Sequence, residues 1–89
     1  MKEVEVRIAN RLGLHARAAA RFVHVANRFQ SRVTVSKGGS RVDGKSILGL
    51  LTLAAAKGSS LRLVVEGPDE EQALDRLNAL IRDGFGEGS

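Results

Sequence analysis

His15 is the residue of this chain best placed to do chemistry. It stands in Gly13-Leu14-His15-Ala16-Arg17, at the mouth of an alanine-rich amphipathic segment, with an arginine two residues on. Ala19, Phe22, Val23, Ala26 and Phe29 recur at three- and four-residue steps, so the pattern predicts a helix over about residues 16–28 with those side chains on one face. Arg17, Arg21, His24 and Arg28 follow the same period on the opposite face and make a cationic stripe. A histidine just ahead of the first turn meets backbone N–H groups that lack a partner within the helix, and the positive end of the helix dipole. A further positive charge on the ring is opposed there, which leaves a ring nitrogen free to attack phosphorus. A phosphate formed on His15 would be held by the backbone N–H groups of Ala16, Arg17 and Ala18 and by the guanidinium fork of Arg17. The plain alternative is an ordinary histidine at a helix start.

The elements that must present this histidine are legible from periodicity. Val4, Val6 and Ile8 alternate with Glu3, Glu5 and Arg7, the period of a half-buried strand. After the first helix, residues 32–36 read as a strand with Val33 and Val35 inward, and Gly38-Gly39 suits a hairpin turn into a short strand around residues 41–43. Ser46 fits the N-cap of a short helix over about residues 47–53 that ends near Lys57-Gly58. Leu61, Leu63 and Val65 mark a fourth strand. Asp69 with Gln72 reads as a capping box opening the last helix, with Ala73, Leu74, Leu77, Leu80 and Ile81 toward the core and Gly84 as its C-terminal cap. Phe85 is expected to fold back on that last turn, with residues 86–89 a mobile tail behind a single domain of residues 1–85. The order βαββαβα predicts an α+β fold, an open-faced β-sandwich whose four-stranded antiparallel sheet is covered on one face by three helices.

Two stretches carry a resemblance. Asn10-Arg11-Leu12-Gly13-Leu14-His15-Ala16-Arg17-Ala18-Ala19 resembles the active-site segment of HPr, the histidine-containing phosphocarrier of the bacterial phosphoenolpyruvate:sugar phosphotransferase system. Gly44-Lys45-Ser46-Ile47-Leu48-Gly49-Leu50-Leu51-Thr52-Leu53 is similar to the segment that carries that family's regulatory serine, and the elements between residues 2 and 84 fit in order and length. The resemblance implies that His15 accepts phosphate on Nδ1 from phosphorylated enzyme I and hands it to a histidine of a IIA domain. Arg17 is then the phosphate clamp, and the chain is a covalent waypoint rather than a free-standing enzyme. It also implies regulatory phosphorylation of Ser46 by an HPr serine kinase/phosphorylase where the host has one, and a partner-binding surface that includes Ile47, Leu48 and Leu51. Arg21 and His24, with Leu48, would select the partner, and so decide between sugar transport and a nitrogen-related regulatory pathway. One departure stands out: Ala18 occupies the position where the family commonly has proline. The first helical turn tolerates either, so phosphotransfer is expected to be retained.

Composition bounds these readings. A chain of 89 residues buries only about 60–65% of its unfolded surface and has little room for a deep catalytic cavity, so its chemistry should take place against other proteins. There is no cysteine, which removes disulfides and thiolate metal sites, and His15 and His24 do not share a helix face, so neither a metal nor a cofactor is expected. The longest mainly apolar run, Ile47 to Ala56, is too short to span a bilayer, and the amino terminus lacks an apolar signal core; no membrane insertion and a cytoplasmic setting are expected. A formal charge of +4 favours acidic partners without choosing among protein, phosphate and nucleic acid. A small basic nucleic-acid-binding domain is the alternative from another class, with Arg11, Arg17, Arg21, Arg28 and Arg32 tracking phosphates; three phenylalanines and no tyrosine or tryptophan leave it no stacking platform. Residues 39–46 also match the G-x-x-x-x-G-K-S pattern of a nucleotide-binding loop, but their middle reads as a hairpin strand, which excludes that role.

Overall fold

The structure is a computed structural model and describes residues 1–87. Its elements run β1 (Lys2–Arg7), α1 (Ala16–Ala26), β2 (Arg32–Lys37), β3 (Ser40–Asp43), α2 (Ile47–Thr52), β4 (Ser60–Glu66) and α3 (Glu70–Arg82), closed by a 3₁₀ turn at Gly84–Gly86. The four strands form one antiparallel sheet in the order β1-β4-β2-β3. This is the expected open-faced sandwich.

The sheet order follows from which strand is most apolar on its inner face. β4 contributes Leu61, Leu63 and Val65, all buried, and it lies in the interior of the sheet, pairing Val4 with Leu63 on one side and Val33 with Val65 on the other. Its outward residues are Ser60, Arg62, Val64 and Glu66, and Arg62 pairs there with Glu3 at 3.0 Å on the solvated face. The three helices cover only the other face. Phe22 and Ala26 from α1, Leu50 from α2, and Ala73, Leu77 and Ile81 from α3 meet the inward valines and leucines of the strands in one core. Each large apolar side chain so buried contributes about 1.5–3 kcal/mol to folding.

Local expectations were met at most junctions. Gly38 turns the β2–β3 hairpin in the left-handed region at φ 59°. Ser46 caps α2, its hydroxyl accepting the Gly49 N–H at 3.0 Å. Gly84, at φ 65°, turns the chain after α3, and Phe85 folds back to complete burial. The first helix closes slightly early: the Arg28 N–H bonds the Val25 carbonyl and the Phe29 N–H that of Ala26, and this tightening ends the α-helical stretch at Ala26.

Two expectations need correction. Asp69 does not cap α3 through its side chain. Its carboxylate reaches across to the end of the α1–β2 connection, accepting the N–H groups of Gln30 and Ser31 at 3.0 Å each and the Ser31 hydroxyl at 2.5 Å. The Gly67 N–H is satisfied instead by Glu70, at 3.1 Å. The second correction concerns the tail. Gly86 belongs to the closing turn, and Glu87 is bonded to Asn10 and His15, so the folded region runs two residues past the expected boundary at 85. The remainder of the expected tail, residues 88–89, lies outside the described residues.

Candidate phosphoacceptor site

The loop between β1 and α1 is fixed from below before it presents anything. The Leu14 N–H bonds the Ala55 carbonyl at 2.8 Å, tying this loop to the segment after α2. Gly13 is required there: its φ is +69°, and a Cβ would stand 2.4 Å from the Ala55 oxygen. Buried Asn10 braces the same loop by donating from Nδ2 to the Gly13 carbonyl at 2.8 Å. Leu14 then plugs into the core, and His15 follows as the N-cap of α1, with its carbonyl accepting the Ala19 N–H at 2.8 Å.

Two contacts determine how the imidazole is held. Nδ1 accepts the backbone N–H of Arg17 at 3.3 Å, and Nε2 lies 2.5 Å from Oε2 of Glu87. A backbone N–H can only donate and a carboxylate can only accept, so both contacts select the ring with its proton on Nε2 and its lone pair on Nδ1. Nδ1 therefore points into the open N-terminus of α1, where the dipole favours an anion. The ring side chain keeps 25% of its surface exposed, enough for a partner to reach it.

The surroundings are cationic. Arg11, Leu12, Arg17, Arg21, Gly86 and Glu87 line a shallow cleft of about 330 Å³ beside the ring. Arg17 is exposed, whereas Arg21 is tethered, donating from Nη1 to the Phe85 carbonyl at 2.7 Å. The Glu87 carboxyl is held below its ordinary value of 4.5, first by the hydrogen bond from the Asn10 amide. Desolvation pushes it up, while the hydrogen bond from His15 and the nearby Arg21 charge pull it down.

The sequence-predicted residues fall into two groups in space. His15, Ala16, Arg17 and Ala18 form the first turn of α1, with Ala18 fully buried beneath it. Arg21 and His24 continue up the exposed face of that helix, and the Arg28 guanidinium lies 3.3 Å from His24 Nε2. Helix α2 packs beside α1 and divides its apolar side chains: Leu50 and the C-cap Leu53 are buried, Leu51 is half-buried, and Ile47 and Leu48 are 40% and 77% exposed. Leu12, 62% exposed at the rim of the cleft, adds an apolar side chain that sequence reasoning passed over. Asn10 and Glu87 were also missed as site residues. The quoted active-site segment begins at Asn10, but nothing in the spacing links it to a glutamate near the other end of the chain.

The alternatives fare less well against the geometry. Phe22 and Phe85 are fully buried and Phe29 packs against the core, so none offers a stacking surface to bases. Residues 40–43 form the hairpin strand β3, which is antiparallel to β2, so the G-x-x-x-x-G-K-S pattern does not form a phosphate loop. No helix of the described residues is long and apolar enough to cross a membrane.

Comparison with known proteins agrees with this picture. The family described as PTS HPr component phosphorylation site matches residues 2–83. The chain is similar to the phosphocarrier protein HPr of Cupriavidus necator, with 49% identity over 88 residues covering 99% of each. Its backbone is similar to the crystal structure of HPr from Thermoanaerobacter tengcongensis, with a TM-score of 0.94, 46% identity and 98% of each chain covered. It is also similar, at a TM-score of 0.66 and 42% identity, to Crh, the catabolite repression HPr of Bacillus subtilis, over 90% of this chain and 95% of that one.

Proposed function

Because this chain belongs to the HPr family of phosphocarrier proteins, we propose that His15 takes phosphate from phosphorylated enzyme I and passes it to a histidine of a IIA domain of a sugar permease. The observation that carries the reading is the orientation of His15, with Nδ1 turned to the N-terminus of α1 and Nε2 turned away from it. In the accepting step the Nδ1 lone pair forms a bond to phosphorus while the donor's P–N bond breaks and its electron pair returns to the donor nitrogen. The N–H of Arg17, which rests on Nδ1 in the free protein, then turns to a phosphate oxygen together with those of Ala16 and Ala18. The exposed Arg17 guanidinium clamps the same group.

The chain is a waypoint rather than an enzyme with its own turnover, and it works in the cytoplasm. Its shallow cleft cannot enclose a reaction, so each partner supplies the remainder of the site. The partner surface is the exposed edge of α1, with Arg21 and His24, next to Ile47, Leu48 and Leu51 of α2; its combination of positive and apolar character suits the acidic, hydrophobic face of a protein. Ser46 lies within that surface at the start of α2, and its phosphorylation by an HPr serine kinase/phosphorylase would place negative charge where the acidic partner docks. Similarity to the catabolite repression HPr supports such a regulatory role.

The test is onward transfer. The chain is phosphorylated with enzyme I and phosphoenolpyruvate, and then mixed with a IIA domain. Phosphate is expected to move to the IIA histidine. A phosphorylated chain that no sugar-permease IIA domain unloads would replace the transport role with a nitrogen-related regulatory one.

A further inference from the structure

His15 and Glu87 are 72 positions apart in sequence, yet their side chains meet at the mouth of α1. Glu87 is not there by virtue of a local turn alone. Its Oε1 accepts the Asn10 amide at 2.9 Å while Oε2 faces His15 Nε2, so the carboxylate is held at both oxygens. Asn10 is completely buried, and its Nδ2 spends one hydrogen on the Gly13 carbonyl and the other on Glu87. Reversing that amide would set its oxygen against two acceptors, so its orientation is fixed, and Asn10 Oδ1 remains without a partner among the described residues. The Arg21 bond to the Phe85 carbonyl holds the turn that delivers Glu87.

We infer that Glu87, aligned by Asn10, is a positioning residue for phosphoryl transfer: it keeps the His15 proton on Nε2 and so keeps the lone pair on Nδ1. This rests on the phosphocarrier reading for its consequence but not for its geometry. When Nδ1 forms its bond to phosphorus the ring retains the Nε2 proton and becomes cationic, and the Glu87 carboxylate faces that charge directly. When the phosphate leaves, the electron pair returns to Nδ1 and the Nε2 proton stays where it was. No proton has to leave or enter the ring in either direction. Arg11 and Arg17, which line the same cleft, are then free to act on the phosphate rather than on the ring.

The experiment records ¹⁵N spectra of His15 at a pH where the ring is neutral, for the native chain, E87Q and E87A, and measures phosphorylation by phosphorylated enzyme I on the same samples. The native chain should show one protonated and one unprotonated ring nitrogen. In E87A the two signals should move toward each other as the tautomers mix, with phosphorylation slowed about tenfold. E87Q has one acceptor oxygen to share between Asn10 and His15 and should fall between. E87A leaves the buried Asn10 amide one acceptor short and should lower the unfolding midpoint modestly, so all three forms are compared well below their midpoints, where the fold is intact because Glu87 lies beyond Phe85, the last core residue. Unchanged ring signals in E87A would overturn the inference, and so would altered signals with an unaltered rate. A native chain that takes no phosphate, but whose ring signals respond to E87A, would refute the phosphocarrier reading and uphold Glu87 as the group that fixes the ring.

Discussion

Gly13 and Ala55 approach so closely that the glycine's missing side chain is a structural requirement: a Cβ at position 13 would lie 2.4 Å from the Ala55 carbonyl oxygen, which itself holds the Leu14 N–H. The seat of His15 therefore depends on a contact between two loops. Gly13→Ala combines a left-handed backbone angle with a backbone collision and should cost roughly 2–4 kcal/mol. Urea unfolding measures the loss, and a variant as stable as the parent would show that the loop shifts freely.

Leu48, at 77% exposure, adds little to the core. Leu48→Glu should leave the unfolding free energy within about 0.5 kcal/mol of the parent. It should weaken enzyme I binding about tenfold, the loss expected when an apolar contact residue is replaced by a charge facing an acidic partner. Calorimetric titration checks the second figure, and unaltered affinity would remove α2 from the docking surface.

Ser46 has a capping role and a proposed regulatory role, and substitutions separate them. Ser46→Asp retains a capping oxygen and should keep α2 intact while slowing phosphorylation of His15 roughly tenfold, through one added negative charge. Ser46→Ala should cost about 1 kcal/mol of stability without slowing transfer. Equal rates for all three forms would leave Ser46 as a cap alone.

The acid limb of stability should report Asp69. Its carboxyl is lowered from the ordinary value of 3.8, first by the Ser31 hydroxyl and then by the Gln30 N–H. A carboxyl whose folded pKa is depressed stabilises the fold above its unfolded pKa, and that stabilisation is lost as pH falls through the ordinary value toward the folded one. Glu70 and Glu87 are lowered as well and add to the same limb. Denaturation midpoints for Asp69→Asn should therefore fall less steeply than the parent's as pH is lowered through the carboxylate range. An identical slope would mean that the Asp69 bonds contribute nothing to folding.

Much of this architecture could be read from the chain because its cues are local. Alternating Val4, Val6 and Ile8, the spaced apolar face of Phe22, Val23 and Ala26, and the Ser46 cap each depend on neighbours a few residues away, and each formed as expected. Asp69 shows where local rules lose: its spacing to Gln72 suits a capping box, yet the fold brings Ser31 within reach and the carboxylate takes three bonds there instead. Asn10 and Glu87 were invisible for the same reason, since only the closed fold sets the end of the chain against His15. The division between buried Leu50 and Leu53 and exposed Ile47 and Leu48, in and just after α2, was left open by periodicity and settled by packing against α1.

The most direct test of the account is the intact mass of the chain after incubation with enzyme I and phosphoenolpyruvate, for the parent and for His15→Ala. The account predicts a gain of one phosphate that is lost on acid treatment, as a phosphoramidate requires, and no gain in the variant. An unmodified parent in the presence of active enzyme I, or an equal gain in His15→Ala, would contradict it.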